Sequence, residues 1–227
     1  MNTLTTLLSE NVYPGRGVLC ARTLSGDVLG GYFLTGRSPA SRDRALVPQD
    51  GRLIVAPTKA TSKDALRHYT AAESAGDWLV FGNGEQVTTV AERLRGEDSA
   101  TVSLSDLEFE PDPPILTSRI TALLSKKDGG RTAVLGAARA SRGRRTTSNV
   151  MTLTVRDLEP GEGVLLTTYQ SDGARVETAS PYEEISVEAR TGPELLAEIW
   201  DALSLDYRIA AAVLDPRQEA ADALLCS

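Results

Sequence analysis

The feature that most constrains the fold of this chain is the repeated alternation of strand-length apolar runs with short turns rich in Gly, Asp, Ser and Pro. This pattern is typical of β-hairpins. The three predicted hairpins are 17–22 with 28–35 around the turn at 25–27, 119–124 with 132–138 around the turn at 126–130, and 150–155 with 164–169 around Pro160-Gly161. The chain is therefore expected to consist mainly of antiparallel strands.

Helical patterns are fewer. A buried-looking strand at 78–81 runs into the sharp turn Gly82-Asn83-Gly84. Apolar residues then recur at helical spacing from Val87 to Leu94, and Gly96 is a natural stop. Asn83 and Gly84 are thus predicted to lie in a strand-to-helix connection, where backbone amides are free to bind a ligand.

A second helix is predicted near the end of the chain. Thr191 and Glu194 resemble a capping box, and the apolar residues from 195 to 203 form one helical face, which we interpret as core. Further strands are expected at 52–56 and 185–189. Many hairpins with few helices indicate an α+β fold with largely antiparallel sheets, and without a repeat or linker we expect a single domain over 1–227.

Composition excludes several classes of protein. The hydrophobic fraction of 41% is ordinary for a globular chain, and no apolar run approaches the roughly 18 residues that span a bilayer. The start of the chain lacks a signal-type block, so we expect a cytoplasmic protein. The net charge of −7 argues against broad binding to nucleic acid or to anionic membranes. It allows an anionic small molecule bound by local arginines.

The single histidine, His68, and two cysteines limit the chemistry further. No multi-histidine metal site can be built, and Cys20 and Cys226 lack CxxC spacing. No GxSxG elbow or GxxxxGK[ST] phosphate loop is present. We therefore expect neither a metal nor a cofactor, and acid–base groups drawn from carboxylates, tyrosine or arginine-assisted amides.

Four short segments stand out as candidates for a site. They are Tyr13-Pro14-Gly15-Arg16-Gly17, the arginine-rich segment at 36–44, the turn at 81–86, and the Pro-bounded acidic segment at 109–113 followed by 117–120. Arginines with interleaved hydroxyls and glycine suit a phosphate. Taken singly, the arginine-rich segment is better interpreted as a solvated polar loop, the Asn-Gly pair as ordinary turn chemistry, and the acidic segment as a surface loop.

Taken together, the segments resemble the archaeal-type IMP cyclohydrolase family and its bacterial relatives. The matching motifs, in order, are YPGRG at 13–17, GRSPASRDR at 36–44, NGEQ at 83–86, FEPD at 109–112 and SRI at 118–120. The resemblance covers roughly residues 12–124 well and the remainder loosely. It implies a four-layer αββα sandwich like that of N-terminal-nucleophile hydrolases. Because Met1 is followed by Asn2, covalent catalysis from the N-terminus is not expected.

The reaction implied by the resemblance is the ring closure of 5-formamidoimidazole-4-carboxamide ribonucleotide to IMP and water. By similarity, Tyr69 and Glu110 match the acid–base positions, and which of them is acid and which is base stays open. The substrate-binding candidates are Arg16, Arg37, Ser38, Arg42, Asn83, Gly84 and Arg119. Tyr69 as a packing residue and Arg119 as a simple partner of Asp112 are the alternatives.

The chain also departs from the family pattern. Thr70-Ala71 stands where archaeal relatives typically have Asn-Cys, Thr88 where the family commonly has aspartate, and Ser118 where a proline is usual. Two further hypotheses therefore stay open, namely a related cyclase acting on another nucleotide-like amide in specialised metabolism, and a non-catalytic purine-nucleotide-binding protein. The basic stretch at 139–145 is interpreted as a solvent-exposed loop, with a lid or subunit contact as the alternative. Homo-oligomers are common in the family, but no interface is legible in the sequence.

Overall fold

The computed structural model describes residues 1–59, 68–142, 146–178 and 182–227. The strands are, in chain order, β1 Asn2–Thr3, β2 Arg16–Arg22, β3 Val28–Thr35, β4 Ala45–Gln49, β5 Arg52–Ala56, β6 Tyr69–Ala75, β7 Trp78–Gly82, β8 Arg119–Ser125, β9 Thr132–Ala140, β10 Ser148–Arg156, β11 Glu162–Thr167, β12 Tyr169–Gln170, β13 Glu177–Thr178, β14 Glu183–Ser186, β15 Arg208–Leu214 and β16 Leu224–Cys226. The helices are α1 Leu4–Glu10, α2 Pro39–Arg42, α3 Gln86–Arg95, α4 Ala100–Ser103 and α5 Gly192–Ala202, with a 3₁₀ turn at Ala220–Asp222.

Two seven-stranded sheets contain most of these strands. Sheet I has the order β1-β14-β11-β2-β3-β15-β16, and sheet II has the order β10-β9-β8-β7-β6-β5-β4. Within the described residues, every pairing in the two sheets is antiparallel except that of β1 with β14. The expected α+β class with largely antiparallel sheets is therefore confirmed.

Alternation along the strands assigns each side chain to a layer, because successive residues of a strand point to opposite faces. In β2, Val18 and Cys20 belong to the apolar core shared by the two sheets, whereas Leu19 and Ala21 pack in the core beneath α1 and α5. A third core joins sheet II to α3 and α4. The elements thus stack in the order helix, sheet, sheet, helix.

The sheets approach each other closely at Gly30 in β3. A Cβ atom at Gly30 would lie 2.7 Å from the Phe81 ring and 3.3 Å from Leu124 Cδ1, both in sheet II. No larger residue fits there without moving the opposite sheet, so Gly30 sets a short spacing between the two layers.

The helical predictions are confirmed. Helix α3 follows the turn at 82–84 and ends at Gly96, with Val87 and Val90 buried against sheet II. Helix α5 begins after Thr191, whose side chain accepts a hydrogen bond from the Glu194 amide. Within the described residues, no helix is both long and apolar enough to cross a bilayer.

Two of the predicted hairpins are confirmed and the third is wrong. Strands β2 and β3 pair with each other, as do β8 and β9. Strand β10, however, pairs with β9 at the edge of sheet II, while β11 lies between β14 and β2 in sheet I. The Pro160-Gly161 segment therefore carries the chain from one sheet to the other. The strand expected at 185–189 lies earlier, at Glu183–Ser186.

Candidate functional site

The candidate site lies where strands of both sheets begin or end. Arg16 opens β2, Tyr69 opens β6, Gly82 closes β7 and Arg119 opens β8. Neighbouring antiparallel strands bring a beginning next to an end at the same edge of a sheet. Four segments far apart in the sequence therefore meet at one end of the two-sheet stack.

The centre of the site is a buried ion pair between Arg16 and Glu110. Arg16 Nη2 lies 3.1 Å from Glu110 Oε2, and both side chains are almost fully shielded from solvent. Arg16 Nη1 lies 3.5 Å from the carbonyl oxygen of Asn83. A buried charge is tolerated only when it is paired and hydrogen-bonded, and these contacts meet that condition.

Asn83 holds the other oxygen of Glu110. Its Nδ2 donates to Glu110 Oε1 at 3.2 Å and to the Ser118 carbonyl at 2.9 Å. Its Oδ1 accepts from the Ile120 amide at 2.8 Å and from Gln86 Nε2 at 3.0 Å. Since two donors face Oδ1 and two acceptors face Nδ2, the amide has one orientation and always offers a hydrogen to the carboxylate.

The loop after α4 fixes the backbone of Glu110. The Glu110 amide donates to the Thr117 carbonyl at 2.8 Å, and Asp112 Oδ1 accepts from the Thr117 amide at 2.7 Å. Asp112 also bonds the Thr117 hydroxyl, which in turn contacts the Tyr169 hydroxyl. The aspartate of the FEPD motif thus closes the loop that presents the glutamate.

Burial and charge shift the ionisation of this pair. Burial raises the pKa of Glu110, and the nearby Arg16 guanidinium opposes that rise without cancelling it. Burial alone would lower the pKa of Arg16. Glu110 outweighs that effect, with smaller contributions from Tyr69, Tyr169 and Tyr32, so the pKa lies well above its usual value and the guanidinium stays charged. A carboxylate with a raised pKa is a stronger base than an ordinary glutamate.

Tyr69 reaches the same centre from sheet II. Its hydroxyl lies 2.8 Å from the hydroxyl of Tyr32, a residue of sheet I. Both phenols interact electrostatically with Arg16, as Glu110 does. The structure therefore brings the two acid–base candidates, Tyr69 and Glu110, close to the same guanidinium.

A cleft of about 390 Å³ is lined by residues of the turns near Asp27 and Gly129 and by none of the residues above, whereas a second cleft is lined by both members of the ion pair and a third by Tyr69. The second cleft, of about 340 Å³, is lined by Arg16, Glu110, Ser38 and Arg44, among others. Arg44 is buried and donates to the Ser41 and Thr35 carbonyls at 2.7 and 3.0 Å. We call this opening the arginine cleft, because two guanidiniums lie in its wall.

The third cleft, of about 750 Å³, is lined by Tyr69, Gln86, Thr88 and Arg119, among others. We call it the tyrosine cleft. The chain of hydrogen bonds from Gln86 through Asn83 to Glu110 and Arg16 connects it to the arginine cleft. Buried Gln86 Oε1 and Arg119 Nε have no hydrogen-bond partner among the described residues.

The remaining binding candidates lie at different depths. Gly84 sits beside the carboxylate, and a Cβ atom there would lie 3.5 Å from Glu110 Oε1 and 2.7 Å from Gln86 Oε1. Arg119 Nη2 pairs with Glu85 Oε1 at 2.8 Å, so the alternative pairing with Asp112 is not observed.

Two arginines of the 36–44 segment lie on the outside. The Arg37 guanidinium stacks 4.8 Å above the Tyr13 ring, and Tyr13 lines the arginine cleft. Arg42 is exposed and donates to the Asp206 carbonyl. Neither Arg37 nor Arg42 is among the residues that line the arginine cleft, although Arg37 contacts Tyr13, which does line it.

Sequence reasoning missed several side chains of this site: Tyr32, Arg44, Gln86 and Tyr169. Arg44 and Gln86 stand inside the motifs at 36–44 and 83–86, so their motif membership was an available signal. Tyr32 and Tyr169 stand in apolar strands and look like core aromatics. Only the tertiary structure shows that their hydroxyls meet other polar groups.

The basic stretch at 139–145 is only partly described. Arg139 belongs to β9, and Arg142 donates to the Thr178 carbonyl at 3.4 Å. Arg144 and Arg145 lie outside the described residues. Within the described parts of the chain, no group of three His, Cys, Asp or Glu side chains is arranged to hold a metal.

The fold and site define an α+β protein with a charged polar centre at one end of two facing antiparallel sheets. Residues 13–219 match the family model described as IMP cyclohydrolase-like protein. The chain therefore belongs to the IMP cyclohydrolase-like family. No curated protein matches it.

Proposed function

We propose that this protein is an IMP cyclohydrolase, which converts 5-formamidoimidazole-4-carboxamide ribonucleotide to IMP and water in purine biosynthesis. The observation that supports this most is the buried Glu110 carboxylate, held by Arg16 and Asn83, with Tyr69 facing the same guanidinium. The family match is consistent with it. We further propose that the layers follow the N-terminal-nucleophile-hydrolase fold, and that the protein is cytoplasmic because charged nucleotides do not cross membranes unaided.

The reaction joins two groups of one molecule. The carboxamide nitrogen attacks the formamide carbon, and the former carbonyl oxygen then leaves as water with one hydrogen from each nitrogen. Holding the formamide folded toward the carboxamide supplies much of the acceleration, on the order of 7–11 kcal/mol for well-oriented intramolecular reactions. The rigid Arg16–Glu110–Asn83 network provides fixed groups for that purpose.

Glu110 and Tyr69 move the protons in this proposal. In the attack, Glu110 accepts a carboxamide hydrogen and Tyr69 donates its hydrogen to the formamide oxygen. In the elimination, Glu110 gives its proton to the departing hydroxyl and the Tyr69 phenolate takes the formamide hydrogen, which restores both groups. The raised pKa of Glu110 suits the first step, because it brings the base closer to the working pH.

Arginines bind the rest of the nucleotide. Arg16 is committed to Glu110, so we assign the 5′-phosphate to the arginine cleft, with Arg44 and Ser38 in its wall and Arg37 stacked on Tyr13, another residue of that wall. Guanidinium donors match phosphate oxygens in geometry and charge. Arg42 takes part in this proposal only if it leaves the Asp206 carbonyl. We assign the base and its amides to Arg119, which lines the tyrosine cleft, and to Asn83 and Gly84, which lie beside Glu110.

A second candidate function rests on Thr88. This residue lines the tyrosine cleft, where relatives of the resembled family commonly have aspartate. Loss of a carboxylate changes which donors a bound base can satisfy. A related cyclase acting on another nucleotide-like amide is therefore the alternative, and a non-catalytic purine-nucleotide-binding protein is the remaining one.

The deciding experiment gives the purified protein the formamido ribonucleotide without added metal and follows ring closure by absorbance. We expect acceleration over the uncatalysed closure and IMP as product. Tight IMP binding without acceleration would favour the binding protein. Neither turnover nor IMP binding would favour the cyclase with a different substrate.

A further inference from the structure

The buried phenol of Tyr32 has no place in the mechanism above. Tyr32 lies in the middle of β3 with no exposed surface, and its hydroxyl is 2.8 Å from that of Tyr69. The two residues belong to different sheets, so the bond crosses the core between them. A polar atom placed so deep needs a reason, since apolar Phe would fill the same space.

The surroundings decide which hydroxyl donates. Within the described residues, the Tyr69 hydroxyl is the partner of the Tyr32 hydroxyl. If Tyr69 donated, the Tyr32 hydrogen would be buried without an acceptor, which is costly. If Tyr32 donates, its hydrogen is satisfied, and the Tyr69 hydroxyl keeps its own hydrogen for an acceptor beside Arg16, the charged group that Tyr69 faces.

We propose that Tyr32 is a positioning residue that donates its hydroxyl hydrogen to Tyr69 Oη and so directs the Tyr69 hydrogen toward the substrate oxygen. The role rests on the proposed function, in which Tyr69 is the acid. When Tyr69 gives up its proton, the Tyr32 hydrogen bond stabilises the phenolate that remains. Tyr32 itself neither gains nor loses a proton in the reaction.

The charges around the pair support this role. Burial raises the pKa of Tyr32 well above its usual value, the neighbouring Tyr69 adds to the rise, and Arg16 and Arg44 oppose it. Tyr32 therefore stays protonated and remains a donor throughout the neutral range. Arg16 also interacts electrostatically with Tyr69, and Glu110 forms an ion pair with Arg16.

The kinetic test compares Tyr32→Phe, Tyr69→Phe and the double variant. Phe keeps the ring and removes only the hydroxyl. We expect Tyr32→Phe to lower kcat about tenfold with KM changed less than about twofold, and Tyr69→Phe to lower kcat about a hundredfold. The double variant should match Tyr69→Phe, because Tyr32 acts through Tyr69. Multiplying effects, or wild-type kcat in Tyr32→Phe, would overturn the proposal.

A titration tests the hydrogen bond without turnover. Protein labelled with ¹³C at tyrosine Cζ reports each phenol, and Tyr69→Phe identifies the Tyr69 signal. In Tyr32→Phe, the acid dissociation constant of Tyr69 should fall about tenfold, since its phenolate loses a donor. An unchanged or larger constant would show that Tyr32 is not the donor.

Absence of ring closure by wild-type protein would instead refute the proposed function, and the titration would still decide the direction of the bond. Exposed Tyr182→Phe is the control.

Discussion

At the scale of single residues, the site depends on Glu110 being held from two sides. Arg16 binds one carboxylate oxygen and Asn83 the other, so the side chain cannot rotate away from the clefts. Its burial raises its pKa and so makes it more basic, Arg16 opposes that rise, and the two hydrogen bonds orient the carboxylate. The position of the carboxylate therefore comes from its hydrogen bonds, and its basicity comes from burial.

This arrangement predicts the effect of removing either proton-transfer group. Glu110→Gln and Tyr69→Phe should each reduce turnover by about 10²–10⁴-fold, the usual contribution of a general acid or base, while the nucleotide dissociation constant changes less than about threefold. Steady-state kinetics and calorimetric binding of IMP measure the two quantities.

The matched controls for these variants are Glu92→Gln and Tyr182→Phe, both exposed and away from the clefts. Thermal unfolding checks that Arg16, left without its partner in Glu110→Gln, does not unfold the protein. Full turnover in both site variants would remove the mechanism while leaving the family assignment in place.

The sequence identified part of this residue set. Arg16, Asn83 and Glu110 stood in recognisable motifs, and the structure brings them into one hydrogen-bonded network. Tyr32 could not be identified, because its neighbours along the strand are apolar and its partner is 37 positions away. A pattern along the chain reports which face a side chain occupies, not which group it meets there.

At the scale of elements, the turn before β2 sets the position of Arg16. Gly15 has a φ of +74°, and a Cβ atom there would lie 2.2 Å from Thr168 Oγ1 and 2.5 Å from the Tyr169 ring. The Arg16 amide also donates to Thr168 Oγ1 at 3.0 Å. The backbone turn and the adjacent strand end thus fit together only with glycine.

Gly51 provides a comparison that separates backbone strain from crowding. Its φ is +76°, but nothing lies within 4 Å of a Cβ atom at that position. Gly51→Ala should cost about 1–2 kcal/mol of unfolding free energy through strain alone. Gly15→Ala should cost about 1–3 kcal/mol more through overpacking, and should also reduce turnover by displacing Arg16. Urea unfolding measures both, and equal losses would contradict this account.

The sequence predicted the pairing of some strands correctly and that of others wrongly. Turn chemistry was sufficient for the β2–β3 and β8–β9 hairpins. It failed for β10 and β11, because a Pro-Gly turn looks the same whether the chain folds back or crosses to another sheet. Their burial differs, since β10 alternates between exposed and half-buried residues as an edge strand, whereas the middle of β11 is buried throughout. Partner choice in a sheet is a tertiary property that a local pattern does not contain.

At the scale of the whole molecule, the core between the sheets excludes water from an ionisable group. Cys20 is fully buried there, and burial raises the pKa of its thiol to about 12. Cys20 is therefore a buried strand residue rather than a reactive nucleophile, because only the thiolate reacts readily.

The same burial predicts a pH dependence of stability. Above a pH of about 9, the unfolded thiol loses its proton while the folded thiol keeps it, so the folded state binds more protons and stability falls as pH rises. Between pH 9 and 10, wild-type protein should lose up to roughly 1.4 kcal/mol of unfolding free energy more than Cys20→Ala, and below pH 8 the difference should be constant. Urea unfolding at each pH measures it. Parallel curves up to pH 10 would show that water reaches Cys20 in the folded state.

The short distance between the two sheets at Gly30 means that a substitution there can affect the proposed site from within the core. Tyr32 lies two residues from Gly30 on the same strand face, and its partner Tyr69 belongs to the opposite layer. Any larger side chain at Gly30 would push Phe81 away and lengthen the gap that the two hydroxyls bridge. A substitution deep in the interior can therefore shift the Tyr69 hydroxyl without changing any residue that lines a cleft. Relatives with identical cleft residues can differ in activity for that reason.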